Sequence, residues 1–428
     1  MTAEERKKQH RRTAVARGRS APVRAISDTP VATISRRAAD RVRAGHVWVY
    51  RSDIVQVPDN APHVLPVADQ RGILLGTALY SSVSEIALRL VSADAIPGEA
   101  EWLDLLGTRL RAAIDQRRGT LSSTDTNACR LVFSEADALP GIIVDKYGDL
   151  AIVQLLTQAL DSEAVRIVIT NVLREELDPA TIIERPDAHI RELEQLAVPL
   201  DGAPLYVKGE PLTRTLFSLN GLSFHYDAGA GQKTGAFLDQ RENYAAAAKY
   251  AHGEALDVCT YQGGFALHLA RSCPRVTGID VSRAALEVAE QNLAANHDSL
   301  GGSEVDWVEA NAFDLLRDWS DSGAVYDTIV LDPPAFAKSK RAVEGALRGY
   351  KELNLRALRM LRPGGILVTC SCSHHVPLAD FTAVVAAAAG DARRRVRLLE
   401  RRGAAADHPV VLTIPETEYL KCLICAVE

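Results

Sequence analysis

Beyond about Leu219 the chain alternates between short apolar runs, most of them ending in Asp or Asn, and longer stretches with apolar residues at helical spacing. The runs cover residues 255–258, 276–280, 306–311, 328–332 and 366–370, and a helical stretch over 282–296 falls between two of them. Runs this short and this apolar suit strands covered on both faces. Their alternation with helices predicts a parallel, doubly wound α/β sheet, whose ligands bind beyond the carboxyl ends of the strands. Upstream the rhythm differs. Residues 31–100 mix brief apolar runs with turn signals, among them Val47-Trp48-Val49-Tyr50, Asp59-Asn60 and Ala61-Pro62, which predicts a small β-rich module. Leu103, Leu106, Leu110 and Ile114 then mark a helix over 101–118. Strand candidates at 131–133, 141–145 and 150–155, a helix over 162–176 and a strand at 181–184 complete a middle α+β domain. The expected organisation is an N-terminal arm over 1–30, the β-rich module over 31–100, the α+β domain over 101–210 and the doubly wound domain over 211–428.

Charge changes this picture mainly at the N-terminus. Between Met1 and Arg24 eight basic residues face only Glu4 and Glu5, with almost no large apolar side chain, so the segment is expected to be a disordered basic arm. Its composition suits a solubilising tail, an RNA tether or an organellar transit peptide. The whole chain of 428 residues has a net charge of −6, which argues against holding nucleic acid by bulk charge alone. A hydrophobic content of 47% beside 24% charged residues is expected of a soluble globular protein. No apolar stretch approaches the roughly 18 to 20 residues of a spanning helix, so no membrane partner is expected. Seven cysteines without framework spacing point to a reducing cytoplasm. Cys422 and Cys425 have C-x-x-C spacing, but no second pair matches them and they lie in an apolar terminal run; a structural thiol pair, and no metal, is expected.

Two sets of residues carry candidate chemistry. The first follows the 255–258 run: Asp257-Val258-Cys259-Thr260-Tyr261-Gln262-Gly263-Gly264-Phe265 opens a helix, and its glycines let the backbone approach a ligand. Asp280 ends the next strand, where a carboxylate can accept both hydroxyls of a ribose. The G-x-G-x-x-G of a pyrophosphate-binding loop is missing, which suits S-adenosylmethionine, a cofactor with no phosphate. Asp257, Thr260, Gly263, Gly264 and Asp280 are therefore candidate cofactor contacts, with Asp332 and Pro333 at the end of the fourth strand. Asn311 and Ala312 are candidates for the adenine, although Asn311 could equally cap the following helix.

The second set lies further on. Asp332-Pro333-Pro334-Ala335-Phe336 and Thr369-Cys370-Ser371-Cys372-Ser373 both follow apolar runs, so both sit at strand ends. A thiolate that adds to carbon 6 of a pyrimidine activates carbon 5 for methylation, provided an acidic group meets the ring-nitrogen edge and the base is flipped out. Asp332 can be that acid, and Pro334 can offer a carbonyl to an exocyclic amine. Phe336 can stack on the base or pack in the core. Cys370 and Cys372 have period-two spacing, so either can be the nucleophile and the other a core thiol. His374 and His375 can assist proton transfer or face solvent. Asp-Pro-Pro also serves enzymes that methylate exocyclic amines, so it does not fix the methylated atom.

Taken in order, these motifs resemble the ribosomal large-subunit RNA cytosine-5 methyltransferase I family. The resemblance also rests on Gly45-His46-Val47-Trp48-Val49-Tyr50, Phe133-Ser134-Glu135-Ala136-Asp137-Ala138-Leu139-Pro140-Gly141, Gln232-Lys233-Thr234-Gly235-Ala236-Phe237-Leu238-Asp239-Gln240-Arg241, His408-Pro409 and Pro415-Glu416. It implies an N-terminal RNA-binding PUA domain, a central α+β domain and a C-terminal Rossmann-like catalytic domain. It further implies S-adenosylmethionine as cofactor, 23S ribosomal RNA as partner, Cys372 as nucleophile, and Lys233, Asp239 and Arg241 as charged residues beside the site, with Lys233 and Arg241 as substrate contacts. By residue pattern alone, Asp239-Gln240-Arg241 also reads as the start of a helix running through Ala248. Ala236 and His374-His375 depart from the family pattern, and the wider family contains guanine methyltransferases. A base-nitrogen methyltransferase and a non-catalytic ribosome-assembly protein are the competing readings, and a homodimer is left open.

Overall fold

The structure, a computed structural model, describes residues 30–197, 204–229, 235–337 and 339–428. Most of the expected basic arm, and Lys233, lie outside the described residues. The described chain forms two compact units, one running to Tyr80 and again over Glu85–Gly98, the other comprising Ser81–Ser84 and Glu99–Glu428.

The first unit is a six-stranded sheet in the order Trp48–Tyr50, Ile86–Ser92, Leu74–Tyr80, Val64–Asp69, Ala32–Ile34 and Ile54–Gln56. The helix Arg36–Arg43 starts at Ser35, whose hydroxyl accepts the Ala38 N–H, and it buries Ala38 and Ala39 against a core of Ile34, Val49, Leu65, Val67 and Leu88. Short strands with one covered face need such a helix to close the core.

In the second unit, residues 128–207 form a five-stranded sheet in the order Pro204–Val207, Thr181–Glu184, Leu150–Leu155, Ile142–Tyr147 and Ala128–Phe133, with the helices Glu99–Gln116 and Glu163–Leu177. The hairpin Arg214–Leu219 with Leu222–Asp227 leads onward. Its buried Phe217, Leu219, Phe224 and Tyr226 share one core with Tyr147 and Leu150 upstream and with Phe265, Val276 and Val368 downstream. The boundary expected near residue 210 therefore carries no break in packing.

The seven-stranded sheet that follows runs Glu304–Glu309, Arg275–Asp280, Glu254–Val258, Tyr326–Leu331, Leu361–Ser371, Lys421–Val427, Val396–Arg402. The first five strands are parallel, and Lys421–Val427 is antiparallel to both its neighbours. Strand order reverses between Glu254–Val258 and Tyr326–Leu331, which opens a crevice at their carboxyl ends. Asp257 and Asp332 stand on its two sides. The Leu361–Ser371 strand begins five residues before the apolar run that predicts it. A register shift between Tyr326 and Thr328 and the left-handed Gly364 (φ 84°) let Leu361 pair before the Pro363-Gly364-Gly365 segment.

A buried polar network ties the five-stranded sheet to the C-terminal segment of the seven-stranded sheet. Arg117 donates to Asp137 (2.7 and 2.8 Å) and to the Asp407 carbonyl (2.9 Å), while the Asp407 carboxylate takes the Arg130 N–H (2.8 Å) and the Arg241 guanidinium (3.0 Å). Burial alone would raise the Asp407 pKa, but the His408 hydrogen bond and charge, the Arg241 charge and the Arg130 N–H outweigh it and hold the carboxyl well below the usual range. Removing one partner of a buried pair strands the other, so Asp407→Asn is expected to lower unfolding free energy by about 3–5 kcal/mol. A depressed folded pKa contributes stability that is present above the unfolded value and lost as pH falls through the folded one. Denaturant melts should therefore show the deficit at pH 7, shrinking as pH drops below about 4.

Candidate active site

Asp257, next to last in the central strand Glu254–Val258, is fully buried. Its Oδ2 accepts the Thr260 hydroxyl (2.6 Å) and the Ala266 N–H (2.8 Å), whereas Oδ1 has no partner among the described residues. Burial, reinforced by the Asp280 charge, pushes the carboxyl up to about 7 against those two hydrogen bonds. Such an orphaned buried oxygen suits a cationic donor. The loop that follows turns sharply through Cys259 (φ 64°), Tyr261 (φ 52°) and Gly263 (φ 85°). Two non-glycine residues there cost about 1–3 kcal/mol each, a strain that clusters at ligand sites.

Gly263 and Gly264 differ in what they do. A Cβ at Gly263 would add a strained backbone to a 2.9 Å approach to the Trp307 ring. One at Gly264 would lie 2.6 Å from the Tyr244 ring, so Gly264 allows the Gly264–Leu269 helix to pack on Tyr244. Asp280 accepts the Tyr261 N–H (2.9 Å) on Oδ2 and the Ser282 N–H (2.9 Å) on Oδ1, which orients the carboxylate at its strand end and leaves each oxygen a further lone pair. Asn311 caps the Ala312–Ser322 helix by accepting the Phe313 (2.9 Å) and Asp314 (3.4 Å) N–H groups, so its amide N–H groups are what remain for an adenine edge. Ala312, half-buried, opens that helix.

Across the crevice, the Asp332 N–H donates to the Val258 carbonyl (3.2 Å), which pins the Asp-Pro-Pro turn to the central strand. Burial, then the Asp239 and Asp257 charges, push the Asp332 carboxyl up to about 8, with a Gln240 hydrogen bond opposing them. Pro333 is buried and Pro334 exposed. Phe336 packs on Tyr350 (ring centroids 4.8 Å) and Phe313 (5.8 Å) and lines a cavity of about 500 Å³ with Arg341, Glu344 and Arg348.

The two candidate thiols have separate environments. Cys370 lies within the Leu361–Ser371 strand, fully buried and paired in register with Cys422; burial, the Cys422 contact and the Asp332 charge raise its pKa well above the ordinary value. Cys372 comes just after the strand, partly exposed, with its sulfur 3.8 Å from the Pro333 carbonyl. The serines on either side of Cys372 are both buried. The Ser371 hydroxyl donates to the Tyr350 hydroxyl (3.0 Å), which is 2.8 Å from the Ser373 hydroxyl, and that in turn accepts the Ala337 N–H (3.1 Å). The phenol thus braces the Ser-Cys-Ser turn, and the Ser373 hydroxyl ties that turn to the segment just after Asp-Pro-Pro.

Of the charged residues expected beside the site, Arg241 is a buried partner of Asp407 at 5% exposure, a structural task where the sequence offered a substrate contact. Asp239 does reach the crevice: it takes the Tyr419 hydroxyl and its charge acts on Asp332. Sequence reasoning missed Gln240, Tyr350, Tyr419 and Lys421. Only the family stretch around Asp239 hinted at the first, and nothing in the spacing of the other three marks them.

A family model for S-adenosylmethionine-dependent methyltransferases matches residues 174–413, and one for PUA-like domains matches residues 32–93. The chain is 36% identical over 388 residues to ribosomal RNA large subunit methyltransferase I of Pseudoalteromonas translucida and 37% identical to that of Shewanella denitrificans, covering 89% of this chain and 95% of each relative. The chain belongs to the ribosomal RNA large subunit methyltransferase I family. Two solved structures share the fold: a methyltransferase in complex with SAH (TM-score 0.78, 21% identity, covering 93% of this chain and all of that one) and an S-adenosylmethionine-dependent methyltransferase from Streptococcus mutans (0.77, 20%, the same coverage).

The family's cofactor is S-adenosylmethionine, and the residues present fit it. Asp257 offers a buried acceptor in need of a cation, and Asp280 offers oriented lone pairs to a ribose. Asp280→Ala is expected to weaken cofactor binding by about 10- to 100-fold, the loss of charge-assisted hydrogen bonds. Titration calorimetry on the purified chain reads this directly.

Proposed function

We propose that this chain methylates carbon 5 of a cytosine in 23S ribosomal RNA, with Cys372 as the nucleophile and Asp332 as the acid. The observation that carries the reading is the placement of a partly exposed thiol just past the Leu361–Ser371 strand, 3.8 Å from the Pro333 carbonyl of the Asp-Pro-Pro turn. The ribosomal substrate is supported by the names of the relatives, ribosomal RNA large subunit methyltransferase I, over nearly the whole chain.

Carbon 5 of cytosine is too weak a nucleophile to take a methyl group unaided. Addition of the Cys372 thiolate to carbon 6 pushes electrons toward ring nitrogen 3, where a carboxylic acid must deliver a proton. Asp332 is suited to this because burial and two neighbouring carboxylates keep its proton in place up to about pH 8. The electron-rich carbon 5 then acts as nucleophile, and S-adenosylmethionine, when bound, supplies the methyl group as the electrophile. A base takes the proton of carbon 5, the carbon–sulfur bond breaks and Cys372 leaves as thiolate, and ring nitrogen 3 returns its proton to Asp332, which restores the neutral aromatic ring. Pro333 and Pro334 hold the turn rigid and lack N–H groups that would compete for the base.

Bisulfite sequencing of ribosomal RNA from cells with and without the gene tests this assignment. Loss of one protected cytosine in 23S RNA is expected. An unchanged pattern would overturn the carbon-5 assignment and leave Cys372 a structural thiol.

A further inference from the structure

We propose that Lys421 is the positioning residue of the nucleophile: its buried ammonium group holds Cys372 in the thiolate form. The proposal rests on the reading of Cys372 as nucleophile and adds the group that makes it one.

The antiparallel strand Lys421–Val427 pairs Lys421 with Ser371, the residue before Cys372. Lys421 is 4% exposed, and its Nζ donates to the Ser373 carbonyl (2.7 Å) and the Tyr419 carbonyl (2.7 Å). The ammonium therefore grips the backbone on the far side of Cys372. Two of its three N–H groups go to neutral carbonyls, and no carboxylate forms an ion pair with it among the described residues. A buried cation is costly unless an anion lies near it, and Lys421 interacts electrostatically with the Cys372 thiolate first and with Glu418 second.

Other titratable groups face the pair. Tyr350, from the helix Val343–Met360, and Tyr419 face Cys372, and burial raises both phenols, which keeps them neutral near pH 7. Glu418 acts on Lys421 from the chain just before the strand. His374, lowered by burial and by His375, also feels Glu416 and Lys421. Lys421 itself is lowered by burial to about 8, against the pull of Cys372 and Glu418, so it is mostly charged at neutral pH.

The test is the pH dependence of Cys372 alkylation by iodoacetamide, followed by peptide mass spectrometry on the full chain. In the unaltered protein the midpoint is expected below the ordinary thiol value of about 8.5. Lys421→Met should raise the midpoint by at least about one pH unit, a roughly tenfold loss of thiolate at neutral pH, and Lys421→Arg, which keeps the charge, should restore most of it. A purely structural lysine would change melting temperature without moving this profile. Coincident profiles for the unaltered and Lys421→Met proteins would overturn the proposal. If the Met variant does not fold, a midpoint at or above the ordinary value in the unaltered protein overturns it alone. Iodoacetamide reads the thiolate whatever it attacks, so an active Cys372→Ala enzyme would sink the nucleophile reading while leaving a low midpoint standing.

Discussion

Cys372→Ala is expected to lower methyl transfer by on the order of 10⁴-fold or more, the scale seen when a covalent enzyme loses its nucleophile. S-adenosylmethionine binding should stay within a few-fold, because the residues that fit the cofactor lie on other strands. The informative control is Cys370→Ala. That thiol is fully buried opposite Cys422, so its truncation should cost about 1 kcal/mol of stability and leave turnover nearly intact. Single-turnover rates with ribosomal RNA, set beside thermal melts of both variants, separate the two roles. Equal activity losses in the two would contradict the separation.

Asp332→Asn carries the second large effect: a fall in kcat of about 10²–10⁴-fold, the range for a lost general acid. In the unaltered enzyme, the arm of the pH profile that reports Asp332 should fall as pH rises past about 8, because the acid is active only while protonated. The same shift makes folding stability fall with rising pH as well. A carboxyl whose folded pKa exceeds its unfolded value of about 3.9 favours folding when protonated, and that advantage is lost as pH rises from the unfolded value toward about 8. Asp332→Asn, always neutral, should therefore melt at a higher temperature than the unaltered cofactor-free protein at pH 7 and above. A variant that is more stable and nearly inactive marks a group kept for chemistry, whereas one that is less stable and inactive would point to a structural carboxylate.

The elements that position the site were legible wherever local pattern and buried face coincide. The run over 255–258 and the strand Glu254–Val258, or the helical stretch over 282–296 and the helix Arg283–Ala295 with Ser282 as its cap, differ by a residue. Parallel strands covered on both faces write themselves as apolar runs, and an Asp at or near the carboxyl end of such a run lies close to the crevice. Asp257, Asp280 and Asp332 were visible for that reason. What stayed hidden depends on pairings distant in sequence. The grip of Arg241 on Asp407 spans 166 positions, and in isolation an Arg beside a recognised motif looks like a substrate contact. Lys421 reads as an ordinary strand-start lysine; only the antiparallel return of the last strand buries it beside Ser371. Period-two spacing put Cys370 and Cys372 on one face, but the strand stops at Ser371, and that stop gives the two thiols different environments.

The proposed reaction requires a covalent bond between Cys372 and carbon 6 of a cytosine, and RNA containing 5-fluorocytidine interrogates that bond directly. Fluorine at carbon 5 cannot leave as a proton does, so after methyl transfer the carbon–sulfur bond has no route to break. Incubation with 23S RNA substituted in this way, in the presence of S-adenosylmethionine, is predicted to yield a protein–RNA adduct that survives denaturing electrophoresis. Peptide mapping should place the attachment at Cys372, and Cys372→Ala should abolish it. Turnover of the unsubstituted RNA with no adduct on the fluorinated one, or an adduct on a different residue, would contradict the account.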